Sequence, residues 1–589
     1  MRPSSTPFFR ATRWFHGSRG RLIIAPHCNK PEEDKQGLPT VLISLLTLTT
    51  FVGLFVLRSL DDNRLTSWRW TFAGTDIVPI FLVLAAGIVV AYAVSRVSFP
   101  QRGRAAMLFV ASFAAAALFW GEPEVIVDAA RYFMQAKYLE LYGVGYFLGE
   151  WGTGIAAWTD LPLVPFLQGL VLAVSGETRV AVQVFTTLLF SATVVLTYLT
   201  GRTLWDQTTG ACAGALLLAM PYLLTQPPLM LVDVPTMFFL TLAVYTTIKG
   251  VRDGGAPFLA AAPVAITLAM LSKYSTWVML SVVPVIFLAH LKYGRRTVLR
   301  RAAVISLSTL LLAGAALSMK FGVFADQLKL LWNYQVPGLA RWGESHTSTF
   351  LFQVHPFVTV AAVFSIFVAV AKRDVKYAII GWMLFLIMVL GVRRARYILI
   401  TFPMLALMAA YGLREIADGK TRRFIVSCAV ASSLVTALVG FLPFLKGTSA
   451  VNLMRAGEYL DSLDVEKVEV ITLPRTRSII NPAVTVPILD LFTGKRIVYR
   501  GNQEPPPARN LIETSPLRFT WEFQTPPYFA PGLESPGDDT VLVVIASRDG
   551  QPPPPRIARR LAGYHLSKEF AVADRVFRFK TIVGIYLPP

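Results

Sequence analysis

The stretch VAVQVFTTLLFSATVVLTYL, residues 180–199, runs for twenty residues without a charged side chain. A helix of about 20 residues crosses the ~30 Å hydrocarbon core of a bilayer. The stretch also lacks the strict apolar–polar alternation of a membrane β-strand, so a helix is the spanning element. Similar blocks lie at Val41–Leu57, Ile77–Ser95, Val234–Thr247, Ala302–Met319, Leu351–Val370 and Phe424–Leu442. The whole chain of 589 residues is 54% hydrophobic and 16% charged, with mean hydropathy +0.53. A soluble fold could not cover that much apolar surface with so few charges.

About thirteen spans are expected, near 38–57, 77–95, 105–120, 180–199, 208–225, 234–249, 256–272, 274–291, 302–319, 351–371, 377–392, 398–412 and 424–443. If the basic N-terminal tail is cytoplasmic, the inner loops are Arg96–Arg104, Gly201–Gln207, Lys249–Gly255, Lys292–Arg301, Lys372–Lys376 and Arg414–Arg423. Nearly all are rich in Lys and Arg, as the positive-inside rule requires. The opposite loops include Gly121–Arg179, Gln226–Asp233 and Phe321–Phe350, and the first is strongly acidic. An odd span count then places the C-terminus outside a multi-pass cell membrane protein. The formal charge of +20 is thus explained by topology rather than by nucleic acid, which is not expected as a partner.

Four regions follow. Residues 1–37 form a basic cytoplasmic tail without the apolar core of a signal peptide; an organellar transit peptide is the alternative. Residues 38–104 hold two additional N-terminal spans, and 105–445 form the transmembrane core with its first outer loop at 121–179. Residues 446–589 turn rich in proline and charge, with β-like runs at Val468–Leu473, Arg496–Tyr499 and Thr540–Ala546 and a helical Arg556–Tyr564. This predicts a small extracytoplasmic α/β domain, with loops at Pro505–Pro507 and Pro552–Pro555. The three cysteines, Cys28, Cys212 and Cys428, form no CxxC or disulfide pattern.

The outer loops carry the chemistry. In VDAARYF, Asp128, Arg131 and Tyr132 are spaced i, i+3, i+4 and share one helix face. A carboxylate beside a cation at the membrane surface can take the proton of an acceptor hydroxyl; a solvated interfacial helix is the plain alternative. Asp233 opens a span in LVDVPT, where an N-cap is the structural alternative. Lys273, Arg393, Arg394 and Arg396 stand at outer boundaries, where cations are disfavoured. Guanidinium groups suit phosphate oxygens; snorkelling to headgroups is the alternative. Outer carboxylates with outer cations describe a site that holds a lipid phosphate and activates an acceptor. His346 and His355 are isolated, so no metal site is expected, although a divalent metal is left open.

These residues resemble the polyprenyl-phosphate-sugar glycosyltransferases of the GT-C fold, in the protein O-mannosyltransferase and lipid A aminoarabinose transferase group. That group carries an Asp-Glu motif in its first outer loop, often with Arg-Tyr, matched here by Asp128-Ala129-Ala130-Arg131-Tyr132. A Pro-Pro-Leu-like element is matched by Leu161-Pro162-Leu163, a second acidic element by Asp233-Val234-Pro235, a Thr-Lys-Tyr-like element by Ser272-Lys273-Tyr274, and a late Arg-Tyr by Arg396-Tyr397. The likeness covers roughly residues 105–443. It departs at Ala129, which replaces the second acid, so Asp128 acts alone, or Glu122 or Glu124 contributes, or the activity is altered.

The resemblance implies an all-α polytopic fold and sugar transfer from a polyprenyl-phosphate donor to a protein, lipid or envelope-glycan acceptor. It implies Asp128 as general base with inversion, Asp233 orienting the acceptor or Asp128, and Lys273, Arg393, Arg394 and Arg396 on the donor phosphate. Arg131, Tyr132, Trp158, Asp160, Tyr274 and Tyr397 would line the acceptor and sugar site, with Trp151 a weaker aromatic choice. Two other readings compete. A secondary transporter or lipid flippase should show broken repeat helices and midplane charges, whereas these charges sit at one face. A non-catalytic envelope assembly protein fits the Ala129 departure.

Overall fold

The computed structural model describes residues 34–72, 76–97, 100–338, 343–474, 480–499, 509–515, 517–529, 540–574, 576–577 and 580–589. Most of the basic tail and the Pro505–Pro507 loop lie outside the described residues. Among those described, eight helices are long and apolar enough to cross a membrane: Gly37–Leu60, Ile77–Arg96, Arg179–Leu204, Asp233–Arg252, Ser275–Tyr293, Arg295–Ser318, Ala395–Leu413 and Gly419–Lys446. Shorter apolar helices occupy four more of the expected positions, at Arg104–Ala117, Ala256–Ser272, Pro356–Lys372 and Tyr377–Val389.

The expected span at 208–225 is broken. An α-helix covers Gln207–Leu216, a 3-10 turn follows at Leu217–Ala219, and Pro221 starts a further turn. Proline lacks the N–H that would continue the helix, so it begins a new one. Gly210 lets this segment press on its neighbour: a Cβ there would lie 2.3 Å from the Tyr198 carbonyl oxygen.

The long connection at 121–179 is largely helical. Ile126–Glu150 runs 25 residues and kinks at Gly143, whose φ of 81° suits glycine. Leu163–Ser175 follows and packs back on it through Gly169, which sits against the Ala136 carbonyl. The outer loop after Arg295–Ser318 is helical as well, at Phe321–Leu330 and then a π-helical Leu331–Gln335.

Burial sorts the spans. Ala395–Leu413 is the most enclosed, and Arg295–Ser318 faces outward along most of its length. The two N-terminal spans, Gly37–Leu60 and Ile77–Arg96, are likewise mostly exposed and pack on Gly419–Val435. Their outer link is pinned by buried Asp61, which accepts from the Trp68 amide at 2.7 Å and from the Gln353 amide group at 3.0 Å.

Among the described residues, the C-terminal domain has five strands: β1 Lys467–Thr472, β2 Arg496–Val498, β3 Val541–Ala546, β4 His565–Phe570 and β5 Ile582–Leu587. Their order is β2-β1-β3-β5-β4. β1 pairs in parallel with β2 and β3, and β5 pairs antiparallel with β3 and β4. The three expected β-runs are β1, β2 and β3, and the expected helix is found at Pro555–Leu561, whereas β4 and β5 lie outside the expected runs. The sheet's apolar face continues into the membrane core: Val468, Val470, Val543 and Ile585 share one cluster with Ile126, Ala129, Ala130 and Phe133. The helix that carries Asp128 is therefore also part of the C-terminal domain's core.

Candidate active site

A cavity of about 270 Å³ opens where several membrane-side segments meet the C-terminal domain. Asp128, Arg131 and Tyr132 project into it from the first turns of Ile126–Glu150, as their spacing predicts. Lys273 and Tyr274 come from the break between Ala256–Ser272 and the next helix. Arg394, Arg396 and Tyr397 come from the start of the most enclosed span. Trp158, Thr159, Asp160 and Leu161, with Leu330, Leu331, Tyr334, Gln335 and Val336, also line the membrane side.

Arg396 is the hub. Its Nε donates to Asp233 at 2.6 Å, and an Nη donates to Asp128. Lys273 Nζ donates to the other oxygen of Asp233 at 2.5 Å. Two cations thus share one fully buried carboxylate, which offsets the cost of burying the three charges. Asp233 is not an N-cap: Val232 occupies that position, and the Asp233 carboxylate makes no capping hydrogen bond. It links the other two motifs instead. Arg396 is also too buried, at 5% exposure, to be snorkelling to headgroups.

A second pair lies beside the first. Arg131 spans both oxygens of Asp160, at 2.9 Å from Nη2 and 2.7 Å from Nε, and stands 3.7 Å from Asp128. Gln327 holds the Asp160 backbone carbonyl at 2.8 Å and accepts from the Tyr274 hydroxyl at 2.7 Å. Burial alone would push the Asp128 carboxyl up. Arg396, Arg131 and Arg394 outweigh it and hold Asp128 well below the usual carboxylate range, so it stays ionised. Asp160 is pushed up by burial, with Arg131 pulling against it.

Arg394 Nη1 donates to the Tyr397 hydroxyl at 3.3 Å. The ammonium of Lys273 lies 5.0 Å from the Tyr397 ring centre, within cation–π range. The loop carrying these arginines is braced by Glu344, which accepts from the Ala395 amide at 3.0 Å.

Arg393 is the exception among the expected cations. It is exposed and does not line the cavity. Trp151 is buried against Phe147, also off the cavity. Glu122 and Glu124 do not line it either, and Glu124 pairs with Arg179 at 2.8 Å. Ala129 has no exposed surface and packs in the apolar cluster under the C-terminal sheet. A carboxylate there would enter a hydrocarbon core, so the acids near Asp128 come from Asp160 and Asp233.

The sequence reading missed the far wall. Leu517, Arg518, Phe519 and Glu522 of the C-terminal domain line the cavity. No periodicity or motif marks them, and they lie hundreds of residues from Asp128 in sequence. Among the described residues, no group of three or more His, Cys, Asp or Glu side chains is gathered to hold a metal ion.

Fold and site together define a polytopic membrane protein of the GT-C type, whose cavity combines an ionised carboxylate with clustered cations. Residues 160–319 match the family described as dolichyl-phosphate-mannose-protein mannosyltransferase. The fold is similar to that of ArnT from Cupriavidus metallidurans bound to undecaprenyl phosphate, at TM-score 0.51 and 12% identity, over 82% of this chain and 98% of that one. Apo ArnT from the same organism aligns at TM-score 0.49 and 14% identity, over 82% of this chain and 97% of that one. The archaeal oligosaccharyltransferase AglB from Archaeoglobus fulgidus, in complex with an inhibitory peptide and a dolichol-phosphate, aligns at TM-score 0.44 and 12% identity, over 68% and 64%. No curated relative matches the chain in sequence. The GT-C-like architecture expected from the motifs is thus the architecture found.

Proposed function

We propose that this chain is a membrane glycosyltransferase that moves a sugar from a polyprenyl-phosphate donor to an acceptor hydroxyl or amine at the outer membrane surface. The observation that carries this is the Arg396 hub, which joins an ionised carboxylate to a cluster of cations inside one cavity.

The chemistry follows from the arrangement. Arg396 commits Nε and one Nη to the aspartates, which leaves its other Nη to meet a phosphate oxygen. Lys273 and Arg394 flank it. Asp128 takes the proton of the acceptor O–H or N–H. The freed lone pair forms the bond to the anomeric carbon while the bond from that carbon to the phosphate oxygen breaks. The electron pair leaves on the phosphate, whose added negative charge the three cations stabilise. Attack opposite the leaving phosphate inverts the anomeric centre. Asp233 serves this step by holding Arg396 and Lys273 in place.

Asp128 pays for its constant ionisation with weak basicity while Arg396 holds it. Donor phosphate in the cavity competes for Arg396, which frees Asp128 to accept a proton when the donor is in place. Asp128→Asn is expected to lower transfer by about 10²–10⁴-fold, the usual worth of a general base. Mass spectrometry of envelope glycans and glycoproteins in a deletion strain carrying the variant reads this. Wild-type product levels, with the variant inserted normally, refute the base assignment.

The basic inner loops support an outer position for both the cavity and the C-terminal domain. Thr153 and Lys467 are exposed, so a cysteine at either should label with a membrane-impermeant reagent applied from outside. Labelling only from the cytoplasmic side reverses the topology.

A further inference from the structure

The C-terminal domain meets the cavity through the segment 517–522. Its backbone is fixed from the membrane side, because Tyr334 donates to the Ser515 carbonyl and accepts from the Arg518 amide at 3.3 Å. Phe519 sets its ring 4.5 Å from the guanidinium carbon of Arg131, the residue that spans Asp160. The Phe519 and Trp158 rings stand 6.5 Å apart at 64°, and both line the cavity. Trp158 holds a left-handed backbone with φ 45°. That conformation is costly for a bulky residue and tends to persist where function requires it. Next to the corner, Arg518 and Glu522 form an ion pair at 2.8 Å.

Two aromatic rings at an open angle with polar groups at the rim suit a pyranose. Its C–H faces are apolar and rest on aromatic surfaces, while its hydroxyls point outward to charged partners. The transferred sugar has to hang from the phosphate held by Lys273, Arg394 and Arg396, with its anomeric carbon within reach of Asp128. Trp158 and Phe519 line the same cavity as those groups. We infer that the C-terminal domain supplies half of the donor-sugar subsite. Phe519 and Trp158 form an aromatic corner for the pyranose ring, and Arg518 and Glu522 meet its hydroxyls.

This inference rests on the glycosyltransferase reading, and one experiment separates the two. A deletion strain is complemented with full-length wild type, Asp128→Asn, Phe519→Ala, Phe519→Leu and Phe519→Trp, and envelope glycans are quantified by mass spectrometry. The same proteins in lipid nanodiscs are titrated with undecaprenyl phosphate, a probe that carries no sugar. Phe519→Ala and Phe519→Leu should lower product about tenfold. Phe519→Trp, which keeps an aromatic face, should lose less product than Phe519→Leu, and all three should bind undecaprenyl phosphate as the wild type does. Wild-type product from Phe519→Ala, when Asp128→Asn lowers it at least about 100-fold, overturns the sugar corner alone. A parallel loss of undecaprenyl phosphate binding also overturns it, since Phe519 would then shape the phosphate site. Wild-type product levels from Asp128→Asn overturn the underlying reading.

Discussion

Two buried ionic clusters on one helix invite comparison. At the start of Ile126–Glu150, Asp128 meets Arg396, Asp233 and Lys273 around a cavity. Further along, Lys137 donates to Asp490 of the C-terminal domain at 2.6 Å and to Glu177 at 2.8 Å. Both clusters pair lysine or arginine with two carboxylates. They differ in what surrounds them. The first lines open space large enough for a ligand. In the second, Lys137 is packed among Phe133, Tyr528 and Phe529, and of the three charged groups only Glu177 reaches a cleft, a separate one lined by neither Lys137 nor Asp490. Buried charge alone does not mark a reactive site; charge beside an accessible void does. The first cluster is read as chemistry and the second as the fastener between domains.

Substitutions can break this contrast. Lys137→Met leaves two buried carboxylates without their cation and should cost about 3–5 kcal/mol of stability, measured by thermal melts of the purified protein. Undecaprenyl phosphate affinity at the temperature where the variant is folded should stay within about twofold of wild type. Arg396→Gln should do the reverse in kind, weakening undecaprenyl phosphate binding about 10–100-fold through loss of a charged donor. If Lys137→Met matches that loss of affinity, the two clusters are not separate in function.

The fastener should also respond to pH. Burial raises the carboxyls of Glu177 and Asp490 above their ordinary values despite Lys137. The folded protein then keeps protons there that the unfolded chain has released. Stability is therefore greatest below the ordinary carboxylate pKa and declines as pH rises toward the elevated values. The melting temperature should fall from about pH 5 to about pH 8, and Glu177→Gln should flatten that slope. A slope unchanged in Glu177→Gln would place the pH response elsewhere. The smallest effect is expected for Arg393→Ala. Arg393 is exposed and off the cavity, so undecaprenyl phosphate affinity should change less than about twofold. A large loss would restore it to the phosphate site.

How much of this was legible in the sequence depends on distance along the chain. The i, i+3, i+4 spacing put Asp128, Arg131 and Tyr132 on one face, and they share the cavity. The misplaced cations pointed to Lys273, Arg394 and Arg396, because positive charge is costly at an outer boundary unless paired. The same logic swept in Arg393, since charge position says nothing about side-chain direction. Lys137 and Asp490 are 353 residues apart, and no local pattern predicts such a contact. Phe519 lies in a short 3-10 segment, Arg518–Glu522, with neither amphipathic period nor motif. The helical character of the first outer loop was read only around Asp128. Its later part, Val144–Glu150, follows the kink at Gly143, and the Tyr142 and Tyr146 rings meet across it, which mixes the apolar period.

Ala129, packed beneath the C-terminal sheet, also bears on the order in which the protein is made. The membrane spans leave the ribosome first and insert with Asp128 already on its helix. The back of that helix stays uncovered, and its cavity lacks a wall, until residues beyond 520 emerge and the sheet closes. The cavity is therefore incomplete until translation is nearly finished.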